Sequence, residues 1–357
     1  MPKRPFKPLT LKELSAELKL SQSTVSRIVN GEADKCRIAR KTQQRVLEAA
    51  AMCGYAANTV AKSLRLKHTH TIGVIVPEIS EGYSTAILAG IEDELLKGGF
   101  FYFVVSHRHR PDLLREYPRM LLARAVEGII AVDTPIGEDL PVPLVSVSGQ
   151  KRRKRAINIE LNHGQAASLA LSHLKMLGHK RIAFIKGQAQ SSDTNRRWNA
   201  IVDTAKSLDI AIDSQLVVQL QSLEPGPSPG LEVTRQLLQT GQHFTAIFAF
   251  NDFTAMGAIL ALRDAQLRVP RDVSVVGFDD VLAASINNPP LTTIRQPLRS
   301  MGQVAATTLL GLIQDAIPGP HPATITVYPK LIVRKSTAHV SPLRTPHATI
   351  PDSVNSP

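Results

Sequence analysis

The stretch "LSQSTVSRIVNG", residues 20–31, groups short hydroxyl residues, a carboxamide and one guanidinium within three helical turns. Such groups at this spacing offer hydrogen-bond donors and acceptors in a slim array, which is the chemistry of reading polar edges. Elsewhere no glycine-rich phosphate loop follows a strand, and neither a serine elbow nor a metal-spaced histidine pair occurs. Cys36 and Cys53 lack the spacing of a zinc site and read as reduced thiols in small apolar gaps. The residues therefore predict recognition rather than catalysis, with no cofactor and no metal.

Three short helices must position these groups. Thr10 and Glu13 have the spacing of a capping box, and Leu11, Leu14 and Leu18 then give one apolar face, so a first helix is predicted over about 11–18. Ser21 caps a second helix in which Val25, Ile28 and Val29 face inward while Gln22, Ser23, Ser26 and Arg27 face out. Asn30 and Gly31 stop it. A third helix runs from about Thr42 to Cys53, with Val46, Leu47 and Ala50 on its apolar side. Two helices joined by a tight turn, the second polar and cationic at its front, describe a helix-turn-helix; an ordinary pair of small helices is the plain alternative.

Charge supports the first reading. The 357-residue chain carries a formal +12, and residues 1–70 hold 14 Lys or Arg against 5 Asp or Glu. A cationic excess concentrated at one end points to a polyanion, nucleic acid before membrane, although a solvated basic face would look similar. No apolar run of 18 residues exists, and "MPKRPFKPLT" has no apolar signal region, so a cytoplasmic protein without a membrane partner is expected.

From Thr71 onward the pattern changes. Strand-length apolar runs ("TIGVIVP", "FYFVVS", "GIIAVD") alternate with helical stretches, and the alternation restarts after residue 165 with "RIAFIKG", "LVVQL", "AIFAFND" and "SVVGFDD". Near-continuous apolar strands separated by helices imply doubly wound parallel sheets. Two similar halves predict two lobes with a ligand cleft between them at the strand carboxyl ends.

The tokens "TVSRIVNG", "NDFTAMGAI", "VPRDVSVVGFDD", "PPLTTIRQP" and "LIVRKST" occur in the order found in the lactose-repressor/galactose-repressor (LacI/GalR) family of bacterial transcription regulators. The resemblance covers the chain from Thr10 to about Thr337. It implies an all-α helix-turn-helix headpiece at 1–56 and a hinge helix with linker at 57–70. An α/β periplasmic-binding-protein-like sensor of two doubly wound lobes follows at 71–338, and the tail 339–357 is expected to be disordered. The N-lobe would comprise about 71–162 and 294–323, the C-lobe about 163–292 and 324–338, with crossings near 162, 293 and 324.

By the same resemblance Ser21, Gln22, Ser23, Thr24, Ser26, Arg27 and Asn30 contact operator DNA, with Gln22, Ser23 and Arg27 at base-reading positions. In the hinge, Asn58, Ala61, Leu64 and Arg65 would lie in the minor groove, Leu64 as the wedge that kinks the duplex. Effector contacts would come from Ile79, Tyr83, His107, Arg108, Ser148, Leu161, Arg197, Trp198, Asn251, Asp279 and Gln296. Ionised Asp279 opposite Arg197 suits the hydroxyls of a sugar or sugar derivative. The run "SHRHRPD" adds the expectation that His107, Arg108, His109 or Arg110 recognises an anionic group, against the alternative of a solvated basic turn.

Several positions depart from the family pattern. Lys19 stands where the turn usually has glycine, Ala39 replaces the usual serine cap, and Ala57 replaces a frequent proline. The usual Asp-Ile-Ser-Asn-Pro-Phe-Phe becomes Glu78, Ile79, Ser80, Glu81, Gly82, Tyr83 and Ser84, so effector identity does not transfer. "KRRKR", 151–155, reads as an exposed loop or an auxiliary contact with DNA or an acidic partner. No leucine heptad ends the chain, so a homodimer is expected, with the helices after Ile87 and after Met301 at its interface. The resulting expectation is a repressor controlled by a small carbohydrate-like effector. A solute-binding protein, a sugar- or nucleotide-acting enzyme, and an activator or corepressor-dependent regulator are the rivals.

Overall fold

A computed structural model describes residues 10–53, 55, 68–79, 82–148, 156–189, 191–314 and 322–340. The chain divides into two compact units, 1–69 and 70–357.

The first unit contains α1 (Leu11–Leu18), α2 (Gln22–Val29) and α3 (Arg40–Met52). The predicted capping box forms: the Thr10 hydroxyl accepts from the Glu13 amide at 3.3 Å while the Glu13 carboxylate accepts from the Thr10 amide at 2.7 Å. Leu14, Val25, Ile28, Ala33, Val46 and Ala50 bury a small common core. Leu47 is not part of it; it is 50% exposed, and Ala49, three residues after Val46, packs against the core instead. α3 starts at Arg40, earlier than Thr42, with Ala39 making no side-chain cap bond.

Lys19 adopts a left-handed conformation, φ 51°, and its amide closes α1 onto Ser15 and Ala16. A side chain with a Cβ is strained there, whereas glycine is not. Lys19→Gly should therefore raise headpiece stability by about 1 kcal/mol, net of the added unfolded-state entropy. Thermal melting of the two proteins checks this; an unchanged or lower midpoint contradicts it.

The second unit holds two six-stranded sheets. In the first, β1 (Thr71–Val76) lies between β2 (Phe101–Ser106) and β3 (Gly128–Val132), followed by β4 (Leu144–Val147), β5 (Ala156–Leu161) and β11 (Thr324–Val327), all parallel. The second repeats the order: β6 (Ile182–Lys186) between β7 (Val217–Gln219) and β8 (Ala246–Ala249), then β9 (Ser274–Asp279), β10 (Thr292–Arg295) and an antiparallel β12 (Lys330–Ile332). Strand order therefore reverses between β1 and β3 in one lobe and between β6 and β8 in the other. Crevices form at such reversals because the flanking helices diverge to opposite faces of the sheet.

Apolar cores cover both faces of each sheet. On the first, α4 (Gly82–Lys97) crosses α11 (Leu298–Ile313) so closely that a Cβ on Gly90 would meet the Arg299 carbonyl at 1.9 Å, and one on Gly302 the Ile87 carbonyl at 2.0 Å. Ile87 and Met301 are fully buried in this crossing.

The chain passes between lobes at Asn162, between β5 and the helix His163–Met176. The second passage falls at Gln296–Pro297 rather than 293, because β10 stays paired with β9 through Arg295. The third falls at Tyr328–Pro329 rather than 324, because β11 extends the first sheet beside β5. The start of the expected disordered tail is tied down: the Val340 amide donates to the Leu177 carbonyl at 3.0 Å. The rest of that tail, the hinge positions Asn58, Ala61, Leu64 and Arg65, the run 151–155, Ser80 and Glu81 lie outside the described residues.

Candidate functional site

Two places concentrate polar groups. In the headpiece, the Ser21 hydroxyl accepts from the Thr24 amide at 3.1 Å and bonds the Ser23 and Thr24 hydroxyls at 2.9 and 2.8 Å, fixing the start of α2. At the other end Asn30 donates to the Ser26 carbonyl at 2.7 Å and lies 3.2 Å from its hydroxyl. Gly31, φ 75°, then turns the chain away. These bonds hold the frame and leave Gln22 and Arg27 as exposed long side chains, with no ion pair holding Arg27 among the described residues. A helix whose small polar residues satisfy its own ends presents its long donors outward at low entropic cost.

The second place is a cavity of about 110 Å³ in the larger unit. Its walls are residues that follow β1, β3, β6 and β8, the strands flanking both order reversals: Glu78, Asp133, Gln188 and Asn251. Tyr83, Asp193, Arg197 and Asp279 complete it. The volume is on the scale of cavities that hold one small ring, on the order of 150 Å³. Left-handed backbone clusters at these strand ends, at Asp133 (φ 39°), Ser148 (φ 61°), Asp279 (φ 109°) and Asp280 (φ 60°). Strain of about 1 to 3 kcal/mol at each such residue persists where the surrounding structure fixes a functional geometry.

Arg197 is held by several groups, although its buried Nε finds no partner among the described residues. Its guanidinium lies 4.4 Å from the Phe250 ring centroid and 3.7 Å from that of Phe278, donates to the Phe250 carbonyl, and pairs with Asp193 at 3.2 Å. Asp193 also meets His163 Nε2 at 3.3 Å, and its carboxyl is held well below the usual carboxylate range by these partners in spite of burial. Asp279 accepts from the Gln296 amide at 2.6 Å, and burial pushes its carboxyl well above the ordinary value. The Tyr83 hydroxyl bonds Ser148 at 2.9 Å and is pushed up by burial and then by the carboxylates of Asp193 and Asp133. Arg197 thus orients the cleft while Asp279 and Tyr83 present oxygen atoms to it.

A family model for a periplasmic binding protein-like domain matches residues 171–337. The "HTH-type transcriptional repressor PurR" of Haemophilus influenzae is 29% identical over 93% of this chain and 99% of its own. The crystal structure of the Lac repressor dimer bound to operator and the anti-inducer ONPF superimposes with a TM-score of 0.81 at 28% identity, over 93% of this chain and 100% of that one. These relatives are LacI-type repressors, and the chain resembles them from headpiece to sensor. A LacI-family regulator from Enterococcus faecium with bound ribose matches at a TM-score of 0.66 and 25% identity, over 76% of this chain and 100% of that one.

The expected headpiece residues all lie on or beside α2. Of the expected effector residues, Tyr83, Arg197, Asn251 and Asp279 line the cavity. Gln296 and Ser148 stand behind it, orienting Asp279 and Tyr83. Asn251 also caps α9 (Asp252–Asp264), accepting from the Thr254 amide at 2.8 Å. Five expectations fall away from the lining, His107 among them. Ile79 is 47% exposed, and Leu161 is buried in a lobe core because β5 ends there. Trp198 packs edge-on against Phe184 at 5.7 Å on its own helix face. Arg108 is exposed on the turn that its left-handed backbone makes after β2.

The remaining basic residues after β2 do not form an anion clamp. Arg110 pairs with Asp112 at 2.5 Å, and only His109 reaches the cavity wall. His107 is 2% exposed; its Nδ1 accepts from the His109 amide at 3.1 Å, which leaves Nε2–H to donate to Thr134 at 3.1 Å. Burial lowers its pKa from 6.5 to about 4. Because the folded value lies below the unfolded one, stability is lost as the pH falls from about 6.5 towards 4. His107→Asn, which keeps an acceptor for the His109 amide, should flatten the fall in melting temperature between about pH 7 and pH 5; an equal fall in both proteins contradicts this assignment.

Glu78, Ser84, Asp133, Gln188, Ser191, Asp193 and Phe250 line the cavity without having been expected as effector contacts. The signal that finds most of them is position, one or two residues past the apolar run of a strand beside an order reversal.

Proposed function

We propose that this chain is a sequence-specific DNA-binding transcriptional repressor that binds a palindromic operator as a homodimer and responds to a small carbohydrate-like effector in the cleft. The observation that carries the reading is the end-to-end likeness, headpiece included, to the operator-bound Lac repressor dimer. α2 enters the major groove, where Gln22, Ser23 and Arg27 address base edges. Ser21, Thr24, Ser26 and Asn30 hold its ends and meet phosphates. The segment 58–65 serves as the minor-groove hinge, with Asn58, Ala61 and Arg65 beside the Leu64 wedge. The helices that follow Ile87 and Met301 lie at the interface of that dimer. The protein works in the cytoplasm; no helix among the described residues is long and apolar enough to cross a membrane.

In the cleft, Asp279, Tyr83 and Asn251 take sugar hydroxyls. An effector touching both lobes favours one lobe angle over another, and its differential affinity for the two states is the whole source of control. A coupling of about 1 to 3 kcal/mol changes DNA affinity 5- to 150-fold. Selection of genomic fragments by the full chain, followed by footprinting, tests the reading. Two half-sites related by a dyad, with protection altered by a small molecule that binds the cleft, are expected; a footprint without twofold symmetry contradicts it.

A further inference from the structure

A second cationic group in the headpiece lies outside α2. Lys35, Arg37, Arg40 and Lys41 place four positive charges within seven residues, with no acid among them. All four are exposed, and none makes an ion pair among the described residues.

The segment that carries them is built into the headpiece. The Gly31 amide donates to the Ile28 carbonyl at 3.0 Å and the Glu32 amide to the Arg27 carbonyl at 2.8 Å, so the chain leaves α2 directly beside Arg27. Ala33 then enters the small core and Ile38 packs against it, with the Ile38 amide donating to the Ala33 carbonyl at 3.1 Å. Both ends of the intervening turn are thereby fixed, and Lys35, Cys36 and Arg37 form its exposed tip. Gln43 on α3 holds the turn from the other side, its side-chain amide donating to the Asp34 carboxylate at 3.0 Å and to the Ile38 carbonyl at 2.8 Å. The nearest acid is therefore tied to Gln43 rather than to Lys35 or Arg37. Arg37 is left-handed, φ 51°, a conformation that glycine adopts with less strain.

We propose that this turn is a second DNA-contacting element. Lys35 and Arg37, with Arg40 and Lys41 behind them, hold the phosphate backbone beside the groove that α2 enters, at the Arg27 end of the helix. The proposal rests on α2 being the reading helix. Exposed cations add little to the stability of a fold, but cations on a fixed turn lose little backbone freedom on meeting a polyanion. Each phosphate they neutralise releases counterions, so the turn adds affinity and salt dependence without sequence information.

The test titrates the full chain and its Lys35→Gln, Arg37→Gly double variant against a selected palindrome and a scrambled duplex over a range of salt. A dimer that loses two phosphate contacts per subunit should show a slope of log affinity on log salt flatter by about 3 to 4. Between about 0.05 and 0.2 M salt the variant should therefore lose roughly 100-fold less affinity than the parent. Both duplexes should be affected alike, in contrast to a change at Arg27. Arg37→Gly alone should hold or raise the melting midpoint while flattening the slope by about 2, a pair of shifts that damage to the fold does not produce. Should Arg37→Gly fail to fold, Lys35→Gln alone gives the same shift at an exposed site without a partner. Ethylation interference then locates the contact: phosphates whose ethylation weakens the parent should cease to matter in the double variant. An unchanged slope with an unchanged interference pattern overturns the proposal and leaves these cations to an acidic protein surface. A parent with no preference for any palindrome removes the regulator reading, and the slopes on scrambled DNA still decide the role of the turn. A parent without affinity for any duplex overturns both.

Discussion

Arg27→Ala is expected to abolish operator discrimination while sparing general DNA affinity. Arg27 is exposed near the end of α2, on a helix whose start is fixed by Ser21 and whose end is fixed by Asn30. A guanidinium held this way suits a bidentate contact with guanine, worth about 1 to 3 kcal/mol of discrimination, and a twofold dimer loses it twice. The specific complex should therefore weaken by about 2 to 6 kcal/mol, on the order of 30- to 20,000-fold, at constant salt. Non-specific fragments should lose only the few-fold expected of one phosphate contact per subunit. Equal losses on specific and scrambled DNA, measured by titration at one salt concentration, would place Arg27 on the phosphate backbone instead.

The largest effect on stability is expected at the crossing of α4 and α11. Gly90 and Gly302 let the two backbones touch, and an added Cβ at either position would lie 1.9 to 2.0 Å from a carbonyl oxygen of the facing helix. Backbone cannot rotate aside as a side chain can. Gly302→Ala must push α11 away from β3 and β4, opening the core around Ile87, Met301 and Leu309. Overpacking of this kind costs about 1 to 3 kcal/mol, and the forced separation of two helices places Gly302→Ala at or above the upper end. Denaturant unfolding of the full chain reads the loss. A midpoint within error of the parent would show that the helices do not pack this closely. Gly31→Ala is a useful contrast: nothing lies within 4 Å of its added Cβ, so only the strain of φ 75° is felt.

Much of the fold follows from local pattern. Thr10 with Glu13, the Leu11, Leu14 and Leu18 face, and Ser21 ahead of an apolar stripe mark the first two helices because caps and periodicity act over a few residues. The buried parallel strands are legible for a similar reason, being apolar without interruption. Leu47 shows the limit, since on α3 a residue at the edge of the apolar arc sits inside or outside according to neighbours far along the chain. The lobe passages at 296–297 and 328–329 fell a few residues late for the same reason: β10 and β11 end where their partners β9 and β5 stop pairing, and periodicity does not report partners.

The cleft divides along the same line. Asp279 and Arg197 sit in distinctive sequence and were legible by resemblance. Asp133 and Asp193 were not, because they come together only in a cavity wall assembled from distant segments. His107 misled in the opposite direction. In sequence it stands among arginines, yet burial keeps it neutral and two hydrogen bonds tie both ring nitrogens to the fold.

The central claim is that paired α2 helices read a symmetric duplex. It is tested most directly by titrating the dimer against a selected palindrome, against the same duplex with one half-site scrambled, and against both half-sites scrambled, over a range of salt. The account predicts that scrambling one half costs about 100-fold or more, and that log affinity falls linearly with log salt with a slope set by the phosphates neutralised. Indistinguishable affinity for all three duplexes at every salt concentration would contradict it.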